Sequence, residues 1–91
     1  MMPLFAVICR DKAGALPLRQ ENRPAHLDYI KETGIVAMAG PLMEAGQMAG
    51  SLVILDAADL AAAQAWVDGD PYGKAGVFAD VALREWNKVI G

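Results

Sequence analysis

The sequence predicts an α+β fold with the element order β-α-β-β-α-β, and three observations carry that reading. Four short apolar runs begin near residues 4, 35, 50 and 78, rich in β-branched residues and bounded by Gly, Pro or Asp; such runs are strand signals. Two segments of helical spacing and composition follow the first run and the third. The runs "VAMAG" and "LVIL" are apolar at consecutive positions, whereas a sheet with one wet face alternates apolar and polar residues.

"LFAVICR" (4–10), between Pro3 and Asp11, is the first strand. The stretch after it, "DKAGALPLRQENRP", contains Pro17 and Pro24. Both cannot lie inside one straight helix, because an interior proline removes a hydrogen bond and clashes with the preceding turn. Pro24 suits the first helical turn, with Asn22 or Arg23 as cap. "AHLDYIKETG" then runs to Gly34, a stop signal; an extension back to about Leu16 implies a kink. "IVAMAGPLM" (35–43) is the second strand and "GSLVILDA" (50–57) the third, with Glu44, Gly46 and Gln47 in a loop between them. "DLAAAQAWVDG" is a helix, capped by Asp56 or Asp59, favoured by its alanines and ended by Gly69. "FADVALREWNKVI" closes the chain as a strand, with Val81 and Leu83 on one face and Arg84 and Trp86 on the other. This order is the ferredoxin-like split βαβ arrangement, an antiparallel sheet with both helices on one face. The second face, also apolar, predicts packing against another sheet, and a homodimer joined through sheet faces is the economical arrangement.

A length of 91 residues fits one domain, 1–91. At 55% hydrophobic and 21% charged, the chain can build a core and is not a disordered segment. Its net charge is −3 and its 8 basic residues are scattered, without the aromatic-interleaved basic stripe of a nucleic-acid binder. Cys9 is alone, which excludes an intrachain disulfide and a multi-cysteine metal site and fits a reducing compartment. No segment approaches the roughly 20 apolar residues of a membrane span, and no basic region precedes the first apolar run as in a signal peptide. A soluble cytoplasmic protein is the expectation.

"VDGDPYGKAG" (67–76) concentrates acids, glycines and a proline after the second helix. Its natural partner is His26, the one histidine of the chain. If Pro24 opens the helix, His26 lies near the positive end of the helix dipole, which keeps the ring neutral and able to accept a proton. A carboxylate on the other ring nitrogen would fix the tautomer and stabilise the charged form. Asp70 is the candidate: Pro71 biases it away from helical geometry, and Gly69 and Gly73 permit close approach. Each residue also has a plainer reading. A lone histidine is usually structural, an Asp-Pro pair usually starts a turn, and Ser51 suits an ordinary strand end. Arg23 and Tyr72 fit a pocket or the surface, Trp66 and Trp86 fit core or interface, and Cys9 fits a small buried hydrophobe. One histidine without a close carboxylate pair makes no metal site. "GPLMEAG" lacks the Lys-Ser/Thr ending of a phosphate loop.

"RPAHLDYI" (23–30), "AGPL" (39–42), "GSLVI" (50–54) and "AAQAWVDGDPYGKAGVF" (62–78) together resemble the YciI-like (YCII-related) family, in order and over essentially the whole chain. The resemblance implies a ferredoxin-like fold of the dimeric α+β barrel superfamily and an active site centred on a histidine and an aspartate. The matching positions are His26 in "RPAHL" and Asp70 in "DPY", with Ser51 in "GS" as a further pocket residue. A related member is a cofactor-free dehydrochlorinase acting on a chlorinated hydroxyhydroquinone, and the wider superfamily contains muconolactone isomerases and cofactor-free monooxygenases. The expectation is therefore a homodimeric enzyme without cofactor or metal. His26 acts as general acid/base, Asp70 orients it, and Ser51, Arg23 and Tyr72 line a pocket for a small polar ring compound. The rival readings are a non-catalytic metabolite-binding subunit, and a purely structural His26–Asp70 contact.

Overall fold

In the computed structural model, which describes residues 3–91, four antiparallel strands form one sheet in the order β2-β3-β1-β4. The elements are β1 (Leu4–Asp11), α1 (Leu16–Thr33), β2 (Val36–Glu44), β3 (Gln47–Asp56), α2 (Leu60–Gly69), α3 (Pro71–Lys74) and β4 (Phe78–Trp86). This is the ferredoxin-like α+β fold, with β3 inserted between β1 and β2. The register pairs Phe5 with Leu55, Val7 with Val53 and Cys9 with Ser51. Partners in an antiparallel ladder share a face, so these residues form one apolar surface. Ala63 and Trp66 of α2 complete the core over it, and Tyr29 and Ile30 of α1 pack at its margin. The Trp66 indole N–H, a polar group that must be satisfied when buried, donates to Thr33 Oγ1 at 2.9 Å. The opposite face carries Ile8, Leu52 and Ala82 side by side across three strands. Ile8 and Leu52 are 44% and 40% exposed there, so among the described residues this part of the face lies open, although Ala6 and Ile54 beside it are buried.

Several boundaries differ from the sequence expectation. α1 is one helix from Leu16, with Pro17 in its first turn and Pro24 inside it. Pro24 is tolerated because it and Gln20, whose carbonyl loses a partner, both lie on the exposed side. Its true stop is Gly34 (φ 67°), whose left-handed conformation lets its N–H reach the Ile30 carbonyl. The expected loop between the second and third strands is a two-residue hairpin turn, Ala45–Gly46 (φ 51° and 77°), so β3 starts at Gln47 rather than Gly50. Two successive positive φ values match the twist of the flanking strands. Asp59, not Asp56, caps α2, accepting from the Ala62 N–H at 2.8 Å. The final strand ends at Trp86, and residues 87–91 are exposed.

Candidate active site

Arg19, Arg23, His26 and Ile30 recur at i, i+4, i+7 and i+11 along α1 and so share one helical face. That face looks onto the inner side of β2 and β3. There the small residue Ala39 pairs with Val53, and Pro41 pairs with Ser51. Small side chains on the edge strand leave a cleft of about 360 Å³, lined by Arg19, Arg23, His26, Ser51 and Tyr72 among others.

His26 is the eleventh residue of α1, counting from Leu16 to Thr33. The helix N-terminus is three turns away, so the expectation that the helix dipole acts on the ring is corrected: that field fades beyond the first turn. What acts on the ring is Asp70. Nδ1–H of His26 donates to Asp70 Oδ1 at 2.8 Å, because an ionised carboxylate only accepts. The segment expected to be an irregular loop is instead the joint between two helices. Asp70 ends α2 and caps α3, and the same Oδ1 accepts from the Tyr72 backbone N–H at 3.0 Å. Pro71 occupies the first position of α3, where its missing N–H costs nothing. Gly69 is required by packing: a Cβ there would run into the Tyr29 hydroxyl, which donates to the Trp66 carbonyl at 2.8 Å.

Tyr72, delivered by the same short helix, stacks on the His26 ring with centroids 3.9 Å apart and an interplanar angle of 16°. His26 and Asp70 are both buried, with 6% and 3% of their surface exposed. His26 lines the cleft; Asp70 sits behind it. With Nδ1 committed to Asp70, Nε2 is the nitrogen left to the cleft, and it is not among the sealed, unpartnered polar atoms of the described residues.

A second cluster, not anticipated from the sequence, forms the other end of the cleft. Arg19 is 2% exposed. Its Nε donates to Asp11 Oδ2 at 2.7 Å and its Nη2 to Asp11 Oδ1 at 3.1 Å. Nη2 also donates to Ser51 Oγ at 2.6 Å. The guanidinium lies over the Tyr72 ring, 4.5 Å from its centroid. Burial alone would lower the Arg19 pKa; the hydrogen bonds and charge of Asp11 outweigh it, and the net direction is up. Burial raises the Tyr72 phenol, against the opposing pull of Arg19 and Arg23. Beneath both clusters, burial and then the charge of Asp70 push the Cys9 thiol up to about 12.

The structure thus brings His26, Asp70, Ser51, Arg23 and Tyr72 to one place, and adds Arg19 and Asp11. Asp68 stays at the surface, accepting from Gln64 Nε2 at 2.9 Å. Among the described residues no group of three His, Cys, Asp or Glu is placed to hold a metal ion. No helix among them is long and apolar enough to cross a membrane.

Comparison with known proteins agrees with this architecture. The profile of the YCII-related domain matches residues 3–87. Protein YciI of Escherichia coli is 38% identical, the match covering 96% of this chain and 99% of that protein. An uncharacterized Haemophilus influenzae protein is 33% identical over 94% and 98% of the two chains. Among solved structures, 5-chloro-2-hydroxyhydroquinone dehydrochlorinase from Burkholderia phenoliruptrix, in complex with 2,5-dihydroxybenzoquinone, superposes with a TM-score of 0.87. It is 32% identical, with 92% of this chain and 93% of that one covered. A Nitrosomonas europaea protein of unknown function, 17% identical over 100% and 97% of the chains, superposes at 0.60 and shares the fold.

Proposed function

The chain belongs to the YCII-related domain family, and from that premise we propose that this single domain, residues 1–91, is a cofactor-independent enzyme acting on a small oxygen-rich ring compound. The observation that supports it best is the 2.8 Å bond from His26 Nδ1–H to Asp70, made by a ring that lines an open cleft. Asp70 fixes the tautomer, so Nε2 presents its lone pair to whatever occupies the cleft. When Nε2 takes a proton, the imidazolium is stabilised by the carboxylate already bonded to it. The proton comes from an acidic hydroxyl or activated C–H of the substrate. The electron pair left behind enters the ring, and a leaving group departs with its own bonding pair, or the pair settles at another ring position and takes the proton back there from His26. Either course balances without an oxidant or reductant: elimination in the first case, isomerisation in the second. A positioned proton-transfer group contributes roughly 10²–10⁴ in rate, enough for a substrate already acidic.

The solved neighbour is a dehydrochlorinase in complex with a quinone, which supports the ring class. The cationic lining from Arg19 and Arg23 supports ionised oxygens on the ring. The exposed Ile8, Leu52, Leu42 and Trp86 support a homodimer joined through the open sheet faces, and the lone Cys9 a reducing cytoplasm.

The test is chloride release from 5-chloro-2-hydroxyhydroquinone, with binding of 2,5-dihydroxybenzoquinone measured in parallel, for wild type and His26→Gln. Turnover that disappears in the variant while affinity stays supports acid–base catalysis. Binding by wild type without turnover supports the metabolite-binding reading instead, and no binding at all overturns the ring class. Sedimentation of Leu52→Glu tests the dimer, which should dissociate.

A further inference from the structure

We propose that the carboxylate behind His26 is kept wet from its far side: a second cavity, separate from the substrate cleft, is a hydration site that delivers water to Asp70 Oδ2. The place of that water does not depend on the acid–base reading above; its effect on rate rests on it.

The argument starts from the second oxygen of Asp70. Oδ1 accepts from both His26 Nδ1–H and the Tyr72 backbone N–H. Oδ2 accepts from neither, and Asp70 is only 3% exposed. Yet Oδ2 is not among the sealed, unpartnered polar atoms of the described residues, so open space adjoins it. The substrate cleft is not that space, since Asp70 does not line it. Asp70 does line a cavity of about 270 Å³ beside α2 and α3. Its lining runs from buried Val7 and Cys9, through half-buried Val67 and Phe78, to exposed Gly73 and Lys74, so it opens at the surface. Such a volume has room for several waters, which settle where buried polar atoms lack partners. An ionised carboxylate oxygen is a strong acceptor, whereas the Cys9 thiol is a weak donor.

Gly73 keeps the cavity open. Its φ is not left-handed, and a Cβ built on it would meet only the Val67 carbonyl oxygen at 3.8 Å, an ordinary contact. Neither conformation nor packing demands glycine there, and alanine is the better helix former. Gly69 is the contrast, because the Tyr29 hydroxyl excludes any side chain from it. What a side chain at position 73 would do is take up space through which solvent reaches Asp70.

The consequence is electrostatic. Burial disfavours the charged form of a carboxylate, and hydration of one oxygen offsets that penalty. The charge then survives when a ligand fills the cleft and excludes water from the His26 side. An imidazolium formed in turnover meets a full counter-charge. The pair has two entrances: substrate reaches Nε2 from one side and water reaches Asp70 from the other, and neither displaces the other.

The test uses the whole protein. Its one histidine makes Nδ1–H a resolved nitrogen-15 NMR probe, and exchange of that proton needs water beside the bond when it opens. Gly73→Leu, which fills the cavity, should slow the exchange about tenfold. It should also cut kcat about tenfold, with KM held within about twofold. Gly73→Ala should slow both by about threefold while the melting temperature holds or rises, which separates the effect from loss of fold. Ala39→Phe obstructs the cleft from β2; it should abolish turnover and leave the exchange within about twofold. A crystal structure of wild type should show an ordered water about 2.5–3.0 Å from Oδ2, displaced in Gly73→Leu. Exchange slowed by Ala39→Phe and not by Gly73→Leu would put the entrance in the cleft and overturn the proposal, as would a dry Oδ2. An unchanged kcat beside slowed exchange would overturn the link to rate. Exchange slowed as expected in a protein without turnover would uphold the hydration site and remove the acid–base reading.

Discussion

His26 and Arg19 stand about two turns apart on one face of α1, and each is met by a buried carboxylate: Asp70 at 2.8 Å, Asp11 at 2.7 Å. The carboxylates are secured differently. Asp70 Oδ1 also accepts from the Tyr72 backbone N–H, a bond that does not depend on His26. Among the described side chains, Asp11 is bonded through both its oxygens to Arg19 and to nothing else. The difference suits the two jobs. On the proposed reading the imidazole takes up and releases a proton, so its carboxylate is held by something that does not change with it. Guanidinium stays charged, so the ion pair can be its own scaffold.

The largest effect that would break this comparison is on stability. Asp11→Ala strands a buried cation and should cost about 3–5 kcal/mol, read by urea unfolding at neutral pH. His26→Ala should cost clearly less, because Asp70 keeps its backbone partner. Equal losses would mean that the two carboxylates are anchored alike.

Asp70→Asn should separate anchoring from chemistry. The amide oxygen can still accept from the Tyr72 N–H, so the melting temperature should barely move. Turnover should fall by roughly 10²–10⁴, because the imidazolium loses its counter-charge. As the chain has one histidine, nitrogen-15 shifts report its tautomer without assignment. Wild type should hold the proton on Nδ1, and the variant should shift toward a mixture.

A third, smaller effect comes from the residue beneath both clusters. The Cys9 thiol is raised from 9.0 to about 12, by burial first and the charge of Asp70 second, against Arg19. The folded chain therefore keeps a proton that the unfolded chain releases. Its contribution is complete below pH 9 and is lost as pH rises toward 12, at about 1.4 kcal/mol per pH unit. Tyr29 and Tyr72, also raised by burial, should steepen the fall above pH 10. Cys9→Ala should flatten the curve between pH 9 and 10 in urea titrations; an unchanged slope would show that the thiol is not the source.

The smallest effect serves as a control at neither cluster. Ala45 holds φ 51°, a conformation that costs a residue with a Cβ about 1 kcal/mol. Ala45→Gly should raise the urea midpoint accordingly and leave turnover unchanged.

The ferredoxin-like order was legible because each strand is a short apolar run and the two long helices, α1 and α2, end at Gly34 and Gly69. His26 and Asp70 were candidate partners from their chemistry alone, and the family resemblance strengthened the pairing, since nothing in spacing joins residues 44 apart. Pro24 misled the helix boundary, as no sequence rule says that its unpaired carbonyl partner faces water. Arg19 was invisible for a related reason: a basic residue on a helix normally reads as solvated. Once α1 is started at Leu16, its spacing to Arg23 and His26 places all three on one face, and that was the available signal. Asp11 looked like the end of a strand, which it also is. The Ala45–Gly46 turn lacks the Asn-Gly or Asp-Gly pair that marks such hairpins.

That turn divides the chain at its midpoint, and the division runs through the whole site. Residues 1–45 carry Asp11, Arg19 and His26, whereas 46–91 carry Ser51, Asp70 and Tyr72. Neither fragment owns a complete cluster, and the strands on either side of the turn are hydrogen-bonded neighbours. A protein cut there would recover its chemistry only through reassociation of its halves, which makes the fold a natural basis for a split reporter.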